Sequence, residues 1–236
     1  MGAYLVELRA LRQRTPINMR HGLVLLQQTN GDVAAAESLF QQELTRLVAH
    51  QAQVPEAAAR HALELAGYEV PRALQQLEQA RYSLTQRILR RYLAPADAVR
   101  RVADAIEQTH QVPRPYWLDL QAAQRLLPPV ACVLLVTEWL AYEDWEGLDA
   151  AVYFQLEVVL AYCDHLLLLP QVSQALRHVA VLEQAQAASR GHQRIHRGVF
   201  RPGPEVEAAS AAFDVLRPCL VQRLYEVIEE HIELFP

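Results

Sequence analysis

A chain of 236 residues, 52% hydrophobic and 21% charged, is long enough for one large core or two smaller ones and too apolar to be disordered throughout. It holds only 8 glycines, and all 22 of its basic residues are arginine. A Schiff-base lysine and the phosphate-binding lysine of a P-loop are therefore excluded, and the glycine-rich turns of an all-β fold are missing. The net charge of −5 argues against a dedicated nucleic-acid binder.

The first predicted helix covers 4–13, where Leu5, Leu8 and Leu11 recur at helical spacing. Apolar and charged residues already alternate there, which is not the pattern of a signal peptide. Thr15-Pro16 ends the helix, because the residue before proline avoids helical geometry. Asn18 caps a second helix over 19–28, Asn30-Gly31 closes it, and Asp32 caps a third that runs to about residue 44, with Val33, Ala36, Leu39 and Phe40 on its apolar face. Such short helices are stable only when packed together. The pattern then returns. Val54-Pro55 opens a helix, Ala66-Gly67 closes it, and Val70 starts another through Leu77. A shift of 37 residues lays Ile17 on Val54, Leu26 on Leu63, Val33 on Val70, Ala36 on Ala73 and Phe40 on Leu77, which predicts an internal repeat.

The run Leu11, Arg12, Thr15, Met19, Leu26, Asn30, Gly31, Asp32, Val33, Ala36 resembles the N-terminal domain of elongation factor Ts, a ubiquitin-associated-like (UBA-like) fold, over about forty residues. The resemblance implies a three-helix UBA-like unit over 1–44, with a protein-binding role in which it docks a partner similar to elongation factor Tu, and the repeat predicts a second UBA-like unit over 45–85. It makes Leu11, Arg12, Thr15 and Met19 the partner-binding candidates, with Arg12 and Met19 nearest the contact; Met19 can equally be read as a core residue. The chain departs from the family at Pro16 and at His21-Gly22. The second unit has no counterpart in elongation factor Ts, whose nucleotide-exchange segment is also missing, so exchange activity is not implied. Ubiquitin binding is not supported either, because Ala66-Gly67-Tyr68 falls after the second helix of its unit rather than the first.

Residues 86–236 are expected to form an α-helical bundle. A helix over 82–92 with Arg87, Arg90 and Arg91 leads to one beginning at Pro95 with Arg100 and Arg101. This face either tracks phosphates or is a solvated face balanced by Asp97, Asp104 and Glu107. Pro113 and Pro115 mark one loop and Pro128-Pro129 another. Helices follow over 130–142, 148–169 and 172–189. The middle one presents Leu148, Val152, Leu156, Val159, Leu160, Cys163 and Leu167 on one face, which predicts the centre of the bundle. Trp139, Tyr142 and Trp145 lie beside Glu138, Glu143, Asp144 and Glu146, as a partner site or as the rim of a core. The segment 190–204 reads as a long loop carrying Arg190, His192, Arg194, His196, Arg197 and Arg201 with no acid. It suits an anion, RNA or acidic helices of the same chain, and Arg190 with His196 loosely fits the spacing of helical HEPN-type ribonucleases. Two final helices, 205–216 and 220–234, are divided by Pro218.

The expectation is an all-α, non-catalytic protein-binding adaptor, possessing no cofactor and no metal site. Cys132, Cys163 and Cys219 are spaced for neither metal nor disulfide, which predicts reduced thiols and a cytoplasmic setting; a bacterial source is expected. No run is long enough to span a membrane. The alternatives are an RNA-associated helical protein or a HEPN-like ribonuclease, with the bundle as a candidate homodimer interface.

Overall fold

The computed structural model describes residues 4–190 and 203–236, and every regular element among them is helical. No helix of the described residues is long and apolar enough to cross a membrane. The chain divides into two compact units, 1–83 and 84–236.

The N-terminal unit contains α1 (Leu5–Arg14), α2 (Met19–Gln28), α3 (Val33–Ala52), α4 (Glu56–Leu65) and α5 (Val70–Arg81). Its joints follow the local chemistry. The Asn18 side chain accepts from the His21 amide at 2.8 Å, and Asp32 accepts from the amides of Ala34 and Ala35. Gly31 (φ 87°) and Gly67 (φ 63°) supply the left-handed turns after α2 and α4.

Two small cores result. Leu8, Leu11, Ile17, Leu25, Leu26, Ala36 and Phe40 form the first. Val48, Ala59, Ala62, Leu63, Ala66 and Ala73 form the second. The 37-residue shift carries α2 onto α4 residue for residue and Val33, the start of α3, onto Val70, the start of α5. It carries α1, however, onto the C-terminal half of α3. The expected boundary at 44/45 is therefore wrong. Nothing between Leu44 and Ala52 breaks a helix, so α3 continues to Pro55's neighbourhood, where Gln53 turns left-handed (φ 52°). One helix closes the first core and opens the second, and Leu44 borders both.

The C-terminal unit contains α6 (Leu84–Arg91), α7 (Pro95–His110), α8 (Leu120–Ala123), α9 (Pro128–Glu146), α10 (Leu148–Ala151), α11 (Leu156–His165), α12 (Pro170–Arg190) and α13 (Pro204–Glu230). Its single core is built around α9, which packs on α7, α10, α11 and α13 and buries all of 130–136 together with Trp139.

Three expectations are corrected here. Pro128-Pro129 do not form a loop but begin α9, where a missing amide hydrogen costs nothing. The helix expected over 148–169 is broken at 152–155, where Gln155 takes a left-handed conformation (φ 51°), and the centre of the bundle passes to α9. All seven apolar residues of its face are nevertheless buried. Pro218 lies inside α13 rather than between two helices. Its missing hydrogen bond and ring clash cost about 3 kcal/mol. The buried stripe Val206, Ala209, Phe213, Leu220, Leu224, Val227 runs through it in register, so packing on both sides holds the helix together. At the end of the chain, the Thr85 amide donates to the Pro236 carbonyl at 2.7 Å and Phe235 is buried.

Candidate functional site

The corner between α1 and α2 carries the residues singled out by resemblance. Leu11 is wholly enclosed in the first core, and Thr15, also buried, donates its hydroxyl to the Leu11 carbonyl at 2.9 Å. Neither can touch a partner, which corrects half of the expected contact set. Arg12, in the last turn of α1, and Met19, the first residue of α2, are exposed at the two ends of the connector 15–18. Met19 is 56% exposed and so is not a core residue. Among the described residues Arg12 makes no ion pair.

The scaffold behind this corner is tight. A Cβ added to Gly22 would meet Leu8 Cδ1 at 2.6 Å, so the absence of a side chain is what lets α2 approach α1. His21 ties α2 to α3 through Glu43 (2.8 Å) and lies edge-on to Phe40. The 37-residue shift sends Arg12 to Ala49 and Met19 to Glu56. The second repeat thus lacks both exposed side chains.

The candidate anion-binding residues are placed differently. Arg190 is the last residue of α12, not part of a loop. His192, Arg194, His196, Arg197 and Arg201 lie outside the described residues. On the other arginine face, Arg91 and Arg101 both lie over the Tyr92 ring, Arg101 also pairs with Asp104, and Arg100 approaches Asp144 at 4.0 Å. These cations already have protein partners.

Among the described residues, no activated nucleophile emerges from the remaining polar clusters. Burial pushes the Cys163 thiol up to about 12 and the Cys132 thiol well above its ordinary range, so neither forms a thiolate near neutral pH. Ser173, buried between α11 and α12, donates to Asp164, which also binds Arg177. The Arg177 hydrogen bond, aided by that of Ser173, holds the Asp164 carboxyl below its usual range, which makes it a poor base. The carboxylates Glu226 and Glu230 are held by Arg223, and no group of side chains among the described residues could hold a metal ion.

A cavity of about 320 Å³ between α7, α9 and α13 is bordered by further ion pairs. There Arg114 bridges Glu107 (2.7 Å) and Glu138 (2.8 Å), and Arg217 joins Glu143 (3.1 Å) and Asp144. Desolvation raises the Glu143 carboxyl even so.

The aromatic–acidic patch expected around Trp139 has a different membership. Trp139 is fully buried, donates its indole N–H to the Ala151 carbonyl at 3.0 Å and packs edge-on against Phe213. Tyr142 and Trp145 instead join Trp117 and Phe154. Trp117 comes from the connection between α7 and α8, 25 residues before Tyr142, and no local pattern signals that meeting.

Residues 83–233, nearly all of the C-terminal unit, match the family described as the YfbN C-terminal domain. The chain is 31% identical over 183 residues to the uncharacterized protein YfbN of Escherichia coli (strain K12), covering 78% of this chain and 71% of that one. No solved structure matches it.

Proposed function

The chain belongs to the family of the YfbN C-terminal domain, and from that premise we propose that it is a non-catalytic adaptor whose N-terminal unit docks a protein partner through Arg12 and Met19. The observation that carries this reading is the corner itself. A cation with no ion pair among the described residues and a thioether stand exposed beside the α1–α2 connector, over two helices that approach closely at Gly22. Arginine and methionine are both enriched where proteins meet. The second repeat, with Ala49 and Glu56 at the matching positions, has a structural task. By its resemblance to elongation factor Ts, the partner belongs to the translation machinery and is similar to elongation factor Tu.

The test is a titration of purified elongation factor Tu into the full chain by calorimetry, for the wild type and the Arg12→Ala/Met19→Ala variant. Saturable binding to the wild type that weakens at least about tenfold in the variant, a loss of about 1.4 kcal/mol, supports the reading. Equal binding by both, or none by either, removes it. The RNA-associated alternative predicts RNA binding that falls steeply with salt, and the arginine pairings of α6 and α7 do not favour it.

A further inference from the structure

Four aromatic rings meet at the C-terminal end of α9. Tyr142 and Phe154 stack with centroids 4.3 Å apart, and Trp117 lies 5.0 Å from Tyr142 and 5.2 Å from Phe154. Trp145 joins at 5.7 Å from Trp117 while remaining 70% exposed. Arg114, three residues before Trp117, is clamped between Glu107 and Glu138, and the Leu118 amide donates to Glu138 at 3.1 Å. The connection that carries Trp117 is thereby pinned to α9.

The sequence that carries most of these rings is acidic. No arginine occurs in the sequence between Arg125 and Arg177. Arginines from elsewhere neutralise Glu138, Glu143, Asp144 and Asp164. Glu146 and Asp149, on either side of the Gly147 turn that follows Trp145, have no ion pair among the described residues. An exposed indole followed within four residues by two carboxylates that have no ion pair among the described residues favours one kind of occupant. An apolar segment would desolvate the carboxylates without pairing them, and a nucleic acid would be repelled. A guanidinium lies flat on an indole face and donates to a carboxylate from its edge, whereas an ammonium is a strongly hydrated point charge that stacks less well.

We propose that Trp117, Tyr142, Trp145 and Phe154, with Glu146 and Asp149, form a docking surface for an arginine-bearing segment of a protein partner. It is separate from the corner at Arg12 and Met19 and would give the adaptor a second attachment point, in its family-defining unit.

Fluorescence anisotropy of a labelled Arg-Gly repeat peptide, titrated with the full chain at low salt, tests this. Binding should be saturable. It should weaken about tenfold in Trp145→Ala and recover in Trp145→Phe, as loss of a partly desolvated cation–π contact requires. Glu146→Gln/Asp149→Asn should weaken it several-fold, and a Lys-Gly peptide of equal charge should bind more weakly than the Arg-Gly one. Arg12→Ala/Met19→Ala should bind the peptide like the wild type, so the two sites fail independently. The proposal is overturned if no binding occurs, if Trp145→Ala binds unchanged, or if the lysine peptide binds equally well. Should circular dichroism show Trp145→Ala to be misfolded, the double carboxylate variant and the lysine comparison decide, and an unchanged result in either overturns it.

Discussion

The two cores of the N-terminal unit have the same frame and different fillings. In the first, the frame encloses Leu8, Leu11, Ile17, Leu25, Leu26 and Phe40. In the second, 37 residues on, the buried residues are mainly alanines, with Val48 and Leu63 as the large ones. The ends differ too. Asn18 and Asp32 cap α2 and α3 with their side chains, whereas the matching Pro55 and Glu69 make no side-chain cap. The comparison teaches that breakers and turns at matching positions set the arrangement, while side-chain volume and caps set how firmly it holds. The alanine core is the weaker by this account, and it draws its first helix from its neighbour.

The strongest way to break that comparison is to interrupt the shared helix. Arg46 is exposed in the middle of α3, so Arg46→Pro disturbs the backbone alone. It should cost about 3 kcal/mol or more and loosen both cores together, as read by urea denaturation and by hydrogen exchange in α2 and α4, with Arg46→Ala as the control. Protection kept in α2 but lost in α4 would show two independent cores and refute the shared role. A subtler probe compares matched positions. Gly22→Ala must displace Leu8 and should cost about 1–3 kcal/mol, while Ala59→Gly, the same position one repeat later, should cost about 1 kcal/mol through helix propensity. Equal midpoint shifts in urea would mean that the tight approach of α1 and α2 has no energetic consequence. The smallest effect sharpens the point about caps. Glu69→Asp supplies the second repeat with the residue that caps α3 and should raise stability by up to about 1 kcal/mol, seen as a higher thermal midpoint.

Much of this frame is legible in the sequence because its signals are local. Asn18, Asn30-Gly31, Asp32, Pro55 and Gly67 each act on backbone groups within four residues, and each does in the structure what its chemistry predicts. Legibility ends where tertiary packing decides. The passage 44–52 has no breaker, and only the second core reveals that α3 must continue through it. Pro128-Pro129 and Pro218 carry the same residue type as the true breaker Pro16, but one pair sits in a first helical turn and the other proline within a continuous buried stripe. Gln155 turns left-handed without being glycine, so the break before α11 leaves no compositional trace. At the candidate corner, Arg12 and Met19 could be named from the sequence, yet the enclosure of Leu11 and Thr15 could not. Trp117 was unreadable as a neighbour of Tyr142 for the same reason.

Pro218 has one more consequence. A helix of ordinary composition exchanges its amide hydrogens along an unbroken ladder, but α13 lacks the rung that Pro218 would have donated to Asp214. Opening can therefore stop at that point. Both sides are anchored, by Val206, Ala209 and Phe213 before the gap and by Leu220, Leu224, Val227 and Ile228 after it, so the ladder is interrupted while the packing is not. A single imino acid thus divides the longest helix of the described residues into two hydrogen-bonded sections that share one buried stripe.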